Sequence, residues 1–179
     1  MFKFFAKGKR GFVYKGEIKG KKVVLKKEAK NLGRINNEVF WLKKLNKYDI
    51  GPKLLDFGDG WFICEFVKGK PLNKWVAGKS NYKKVLKQVL LKCRVMDKLK
   101  VNKFEMHRPF KNVLVFKNKA KLIDFERCKF SLKPKNVTQF FQFVINALKL
   151  DRKNILPLIK KYSKDYSDRS FRELAKILN

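Results

Sequence analysis

A chain of 179 residues, 45% hydrophobic and 14% aromatic, carries enough apolar material for one core or for two lobes sharing a hinge, which excludes disordered and fibrous classes. Lysine and arginine number 46 against 15 acidic residues, a formal net charge of +31, so a partner with dense negative charge, a nucleic acid above all, is expected to offset the self-repulsion. No apolar run approaches the roughly 18 residues of a spanning helix, and no signal peptide is recognisable, so a cytoplasmic protein with no membrane association is predicted. Three widely spaced cysteines, Cys64, Cys93 and Cys128, read as core thiols, and the single histidine, His107, excludes an imidazole-built metal cluster.

In chain order, residues 2–27 alternate as strands at Phe2–Phe5, Phe12–Ile18 and Val23–Leu25, separated by Gly8–Gly11 and by Lys19–Lys21 around Gly20. From Arg34 the apolar positions Ile35, Val39, Leu42 and Leu45 recur at helical spacing, and the helix should stop before Gly51-Pro52. Strands at Lys53–Phe57 and Trp61–Phe66 flank Gly58-Asp59-Gly60, whose Asp-Gly pair suits a hairpin. Residues 1–67 therefore read as a five-stranded antiparallel sheet with one helix. A hinge is placed at Val67–Pro71, beyond which residues 68–179 read as mainly helical. Tyr82, Leu86, Val89, Cys93 and Met96 form the apolar stripe of a long helix, with Lys83, Lys84, Lys87, Arg94 and Lys98 on its other faces, the lysines toward solvent or RNA. Short strands at Val113–Phe116 and Lys121–Ile123 flank a turn at Asn118, and helices are predicted near 137–149, 152–162 and 169–178.

Several segments carry chemistry. Gly8-Lys9-Arg10-Gly11-Phe12-Val13 sits between two strands, where glycines let backbone amides close over phosphates, although a plain hairpin turn explains it as well. Val23-Val24-Leu25-Lys26 ends an apolar strand on a lysine, and Glu38 follows twelve residues later, where an ion pair would hold the lysine on a nucleotide's phosphates; a solvated helix face is the alternative. Trp61–Pro71 joins an apolar strand to Glu65, Val67 and a Gly-containing connector, as an adenine slot or a plain linker would. A polar loop, Glu105-Met106-His107-Arg108-Pro109-Phe110-Lys111-Asn112, runs into a strand, and Asp124 follows twelve residues after Asn112. Asn112 and Asp124 are oxygen donors suited to magnesium.

Taken in order, GxxGxV, VVLK, RxxxE, EFVKGKPL, the loop ending in Asn-Val-Leu-Val, and Ile-Asp-Phe resemble the protein kinase-like superfamily over essentially the whole chain. HRPFKNVLV, LIDFE and NVTQFFQF are most similar to the small archaeal kinases related to the RIO and Bud32 types, in particular the group whose characterised activity is an RNA kinase acting on tRNA. The resemblance implies an α+β, two-lobed minimal kinase-like fold. It implies ATP, or GTP, and magnesium as cofactors, tRNA as partner with no obligate protein partner, and a variable-loop uridine 2′-hydroxyl as acceptor. Carried across, Gly8, Gly11 and Val13 would cover the phosphates. Lys26 would bind them, Glu38 would orient Lys26, Glu65 and Val67 would face the base, and Asn112 and Asp124 would hold magnesium.

The family's catalytic aspartate falls at position 107, which is His107. The proton acceptor is then His107 or Glu105, with Arg108 or Lys111 balancing charge on the transferring group. Positioning and charge supply most of the rate of phosphoryl transfer, so the substitution is compatible with activity. Glu126 stands where the family's magnesium motif has glycine, and no long activation segment follows, which weakens a peptide-phosphorylating role. Lys9, Arg10, Lys129, Lys133 and Lys135 would contact an RNA backbone. A RIO- or Bud32-like Ser/Thr protein kinase or ATPase, and an inactive kinase fold serving as an RNA-binding scaffold, are the rival readings.

Overall fold

A computed structural model describes residues 1–8, 11–30, 33–76 and 82–179, Val76 by its backbone only. The candidate RNA contacts Lys9 and Arg10 lie outside the described residues. The chain is α+β and falls into two compact units, Met1–Lys68 with Lys121–Cys128, and Gly69–Ala120 with Lys129–Asn179. The segment 121–128 thus packs with the first unit although the second surrounds it in sequence.

The first unit is built on five antiparallel strands, β1 (Lys3–Lys7), β2 (Gly11–Ile18), β3 (Lys21–Glu28), β4 (Leu54–Gly58) and β5 (Trp61–Glu65), in spatial order β1-β2-β3-β5-β4. The turns follow from backbone chemistry. Lys19 and Gly20, both at positive φ (49° and 72°), form the two-residue link between β2 and β3 that suits the right-handed twist of paired strands. Gly60 (φ 71°) closes the β4–β5 hairpin, and the side chain of Asn36 clamps that turn by donating to Asp59 Oδ1 at 2.8 Å and accepting from Gly60 N at 3.2 Å.

Helix α1 (Arg34–Leu45) buries Ile35, Glu38, Val39, Trp41, Leu42 and Leu45, the three-to-four residue spacing expected of a helix lying on a sheet. It packs on β3 and β5, from which Phe62 and Cys64 are buried on the face that Lys26 shares and Val23 and Ile63 on the opposite face. Gly51 (φ 82°) admits no side chain, because a Cβ there would stand 2.8 Å from the Phe125 ring and 2.9 Å from Leu42.

The second unit contains α2 (Leu72–Val76), α3 (Tyr82–Lys98), α4 (Asn136–Ala147), α5 (Arg152–Asp165) and α6 (Asp168–Ala175), with a closing 3-10 turn at Lys176–Leu178. Short strands β6 (Lys70–Pro71) and β8 (Val113–Phe116) share a three-stranded sheet with β9 (Lys119–Leu122), whose last residues pass into the first unit, while β7 (Val101–Asn102) pairs with β10 (Lys129–Phe130). The helical core is Val85, Leu86, Val89, Leu90, Cys93 and Met96 of α3 against Val137, Phe140, Phe141 and Val144 of α4. Asp151 and Ser167 cap α5 and α6 by accepting from Lys153 N and Ser170 N. All three cysteines are free and buried, as the sequence predicts.

Three expectations need correction. Arg94, placed off the apolar stripe, is nevertheless buried: it is 6% exposed and donates to Tyr162 Oη (3.0 Å), the Tyr166 carbonyl (2.8 Å) and Asp168 Oδ1 (2.9 Å). The strand expected at 121–123 runs from Lys119 to Leu122, because Lys117 and Asn118 (φ 46° and 61°) complete the turn early and Asp124 (φ 65°) breaks the extended run. The first strand begins at Lys3 and continues to Lys7, its register shifting between Phe4 and Ala6.

Candidate functional site

Cross-strand partners in an antiparallel sheet share a face, and the register places Val13 opposite Lys26 and Lys26 opposite Phe62. Lys26 Nζ lies 2.5 Å from Glu38 Oε2, joining β3 to α1. The second oxygen of Glu38 accepts from Phe125 N at 3.1 Å, so one buried carboxylate, 3% exposed, fixes both the lysine and the segment that carries Asp124. Asp124 Oδ1 stands 3.9 Å from Lys26 Nζ, and its side chain is about half exposed. Burial alone would lower the Lys26 pKa. The pull of Glu38, then of Asp124, with the Glu38 hydrogen bond and Glu126 behind them, outweighs burial and holds the ammonium above its ordinary range, so this lysine stays charged. Cys64, the nearby thiol, is pushed up to about 12 by burial and by the charges of Glu38 and Glu65, against the opposing effect of Lys26, and is neutral.

Segment 124–128 is stitched to α1 by more than this carboxylate. Asn37 Nδ2 donates to the carbonyls of Glu126 (2.8 Å) and Cys128 (3.0 Å), and Trp41 Nε1 donates to Cys128 O (2.8 Å). Asp124 sits in the left-handed region, which aspartate tolerates better than most residues. These anchors, Asn37 and Trp41, escape sequence reading, since nothing local marks a partner some ninety residues away.

Gly8 N donates to the carbonyl oxygen of Gly11, the first residue of β2, at 2.8 Å. A Cβ on Gly11 would fall 2.3 Å from the Lys27 carbonyl, so that glycine serves the close approach of β2 to β3. Glu65 ends β5, where its backbone N donates to Lys53 O (2.9 Å) and its carboxylate faces Lys121 Nζ at 3.5 Å. Val67 follows in irregular chain.

Glu105, His107, Arg108, Lys111 and Asn112 belong to the second unit, on the loop between β7 and β8. Glu105 takes φ 72°, and the loop closes through Arg108 N to Glu105 O (2.9 Å) and Asn112 N to Pro109 O (3.1 Å). Met106, fully buried, plugs it into the core, and Gln139 Oε1 on α4 accepts from Met106 N at 3.3 Å. Asn136 Oδ1 accepts from Lys103 N at 2.7 Å. Asn136 is itself held by Asp97, which accepts from its Nδ2 (2.7 Å) and N (3.1 Å) as well as from Tyr162 Oη (2.8 Å). Burial raises the Asp97 carboxyl to about 6, against the opposing hydrogen bonds from Tyr162, Asn136 and Val137. Asn136 and Gln139 both lie in the NVTQFFQF stretch, the one signal that could have marked them.

His107 and Arg108 are exposed and line an open cleft of about 420 Å³ together with Phe110 and Phe143. Lys129, Lys133 and Lys135 are exposed in this unit too, Lys129 with its ammonium 5.0 Å from the Phe104 ring centre. The structure thus brings Lys26, Glu38 and Asp124 together in the first unit and sets the 105–112 loop on a polar scaffold in the second. Among the described residues no helix is long and apolar enough to cross a membrane, and no three His, Cys, Asp or Glu side chains cluster as metal ligands do. No protein-family model matches the chain, and no curated protein matches it significantly.

Proposed function

We propose that the protein is a minimal two-lobed kinase that transfers the terminal phosphate of ATP, or of GTP, to a ribose 2′-hydroxyl of tRNA, with a variable-loop uridine as the acceptor. The observation that carries the reading is the Lys26–Glu38–Asp124 set: a permanently charged lysine held by a buried carboxylate, with a half-exposed carboxylate 3.9 Å away. Phosphoryl transfer asks a protein chiefly for positioned charge, and this set supplies cation and anion at fixed separation. Lys26 neutralises phosphate oxygens. Glu38 keeps the ammonium from swinging away, and its grip on Phe125 N ties that restraint to Asp124.

Asp124 and Asn112 are hard oxygen donors of the kind magnesium takes in small number alongside nucleotide phosphates and water, and in this reading they would hold that ion. Bound magnesium would neutralise charge on the phosphates. Gly8, Gly11 and Val13 would cover the phosphates, and Glu65 and Val67 would face the base. His107 or Glu105 accepts the hydroxyl proton, while Arg108 or Lys111 balances charge on the moving group. The net charge of +31, with Lys9, Arg10, Lys129, Lys133 and Lys135 among its contributors, supports a polyanionic acceptor over a protein.

Radiolabelled ATP with magnesium should label folded tRNA, and Asp124→Asn should abolish that transfer while changing tRNA affinity by less than about twofold. Labelling of casein-like protein but not of tRNA would instead identify a RIO- or Bud32-like protein kinase. His107 at the aspartate position favours the RNA-binding scaffold as a second reading, which magnesium-dependent ATP binding without transfer to any acceptor would establish.

A further inference from the structure

The cleft of about 420 Å³ beside the 105–112 loop lies within the size range of small-ligand sites, and its chemistry is specific. Phe110 is 41% exposed, and its ring is set edge-on against Phe143, centres 5.4 Å apart at 88°. Such contacts fix the ring's orientation while leaving aromatic surface open to the cleft. Asn73 and Asn146 contribute carboxamides that make no hydrogen bond among the described residues, each offering donors and an acceptor. The Tyr82 hydroxyl is sealed from solvent and has no partner among the described residues. Arg108 supplies the positive charge, and no carboxylate is among the described residues that line the walls.

A stacking platform, amide groups for reading an edge, and a guanidinium without opposing acid match one kind of ligand among the molecule's polyanionic partners. We infer that this cleft receives an unstacked nucleobase of the RNA substrate, with Phe110 as stacking platform, Asn73 and Asn146 on the base edge and Arg108 on the adjoining phosphate. The inference rests on the RNA-kinase reading and names how that substrate is gripped. A lipid headgroup or an acidic peptide would make no use of Phe110 and two free amides at once.

Transcribed tRNA carrying 4-thiouridine, or 6-thioguanosine in a parallel sample, is irradiated with the full-length protein, and crosslinked peptides are identified by mass spectrometry. Crosslinks are expected on the segments bearing Tyr82 and Phe110. Phe110→Ala should weaken tRNA binding roughly 5- to 160-fold, the range of a lost base–aromatic stack, while Phe110→Tyr should restore affinity to within about threefold of the parent. Crosslinks confined to other segments, or a Phe110→Ala variant that binds as the parent does, would overturn the assignment. Because the crosslink map is made on the unaltered chain, the test stands even if Phe110→Ala fails to fold. Phosphate transfer is measured on the same transcripts. Transfer without cleft crosslinks overturns the cleft and leaves the kinase, whereas cleft crosslinks without transfer keep the cleft and overturn the kinase.

Discussion

Removing the charge of Lys26 and of Glu38, singly and together, probes the centre of the first unit. At an effective dielectric of about 20, the gross attraction is roughly 7 kcal/mol for the 2.5 Å Lys26–Glu38 contact and roughly 4 kcal/mol for Lys26–Asp124 at 3.9 Å, the second screened further by the exposure of Asp124. Desolvation consumes most of both, so the cost of breaking the pair depends on what is left behind. Lys26→Met leaves a carboxylate, 4% exposed at its side chain, with only the Phe125 amide as partner, and should lower stability by about 3–5 kcal/mol. Glu38→Gln keeps an acceptor for Phe125 N and leaves Lys26 facing Asp124, so about 1–3 kcal/mol is expected. The double variant buries no orphaned charge and should cost less than the sum of the singles by at least about 2 kcal/mol. Urea unfolding of the full chain measures each corner of the cycle. In thermal scans 1 kcal/mol corresponds to roughly 2–4 °C at this chain length. Additivity within about 0.5 kcal/mol would refute the buried pair as the element coupling β3 to α1.

Asp97→Ala should destabilise by about 3–5 kcal/mol in urea unfolding, because it strips the acceptor from Tyr162 Oη and from both Asn136 donors in a buried site. Asp168 is held down at about 2 by its hydrogen bonds to Lys98 and Arg94. Its contribution is therefore present above the ordinary carboxylate range and lost as pH falls from about 4 to about 2; Asp168→Asn should flatten that limb of a Tm-versus-pH curve, and parallel curves would contradict the pairing. Gly51→Ala combines a strained φ of 82° with a Cβ 2.8 Å from the Phe125 ring and should cost about 2–4 kcal/mol. Gly20→Ala, at φ 72° with open space around it, should cost only about 1–2 kcal/mol in the same denaturant titration.

What the sequence discloses is what local physics encodes. Alternation placed the strands of the first unit to within three residues, β3 running past the expected Leu25 to Glu28; Asp59-Gly60 and Lys19-Gly20 announced their turns, and the spacing of Ile35, Val39, Leu42 and Leu45 set the buried face of α1. The Lys26–Glu38 pair was legible through the order of the motifs, VVLK ahead of RxxxE, because in so lysine-rich a chain the spacing alone fits a solvated helix face equally well; β3 itself runs on past Lys26 to Glu28. Arg94 was misread, since helical spacing places it off the apolar stripe while Tyr162, Tyr166 and Asp168, about seventy residues on, supply the polar lining that lets it stay inside. The two-residue strands β6, β7 and β10 carry no periodicity of their own and exist through partners that lie far along the chain. The same holds for the clamp of Asn37 and Trp41 on the carbonyls of residues 126 and 128.

The first unit is interrupted: residues 1–68 lack Phe125 and the backbone that Glu38, Asn37 and Trp41 grip until 121–128 arrive. On the ribosome, α1 and its sheet must wait while residues 69–120 are made, roughly 3–10 s at ordinary synthesis rates. During that interval a negatively charged carboxylate and an unfilled slot beside Leu42 and Gly51 stand open in the segment already made. Any shortened product ending before residue 121 would retain all five strands of the first unit's sheet yet never close it, and ought to be a target of cellular quality control.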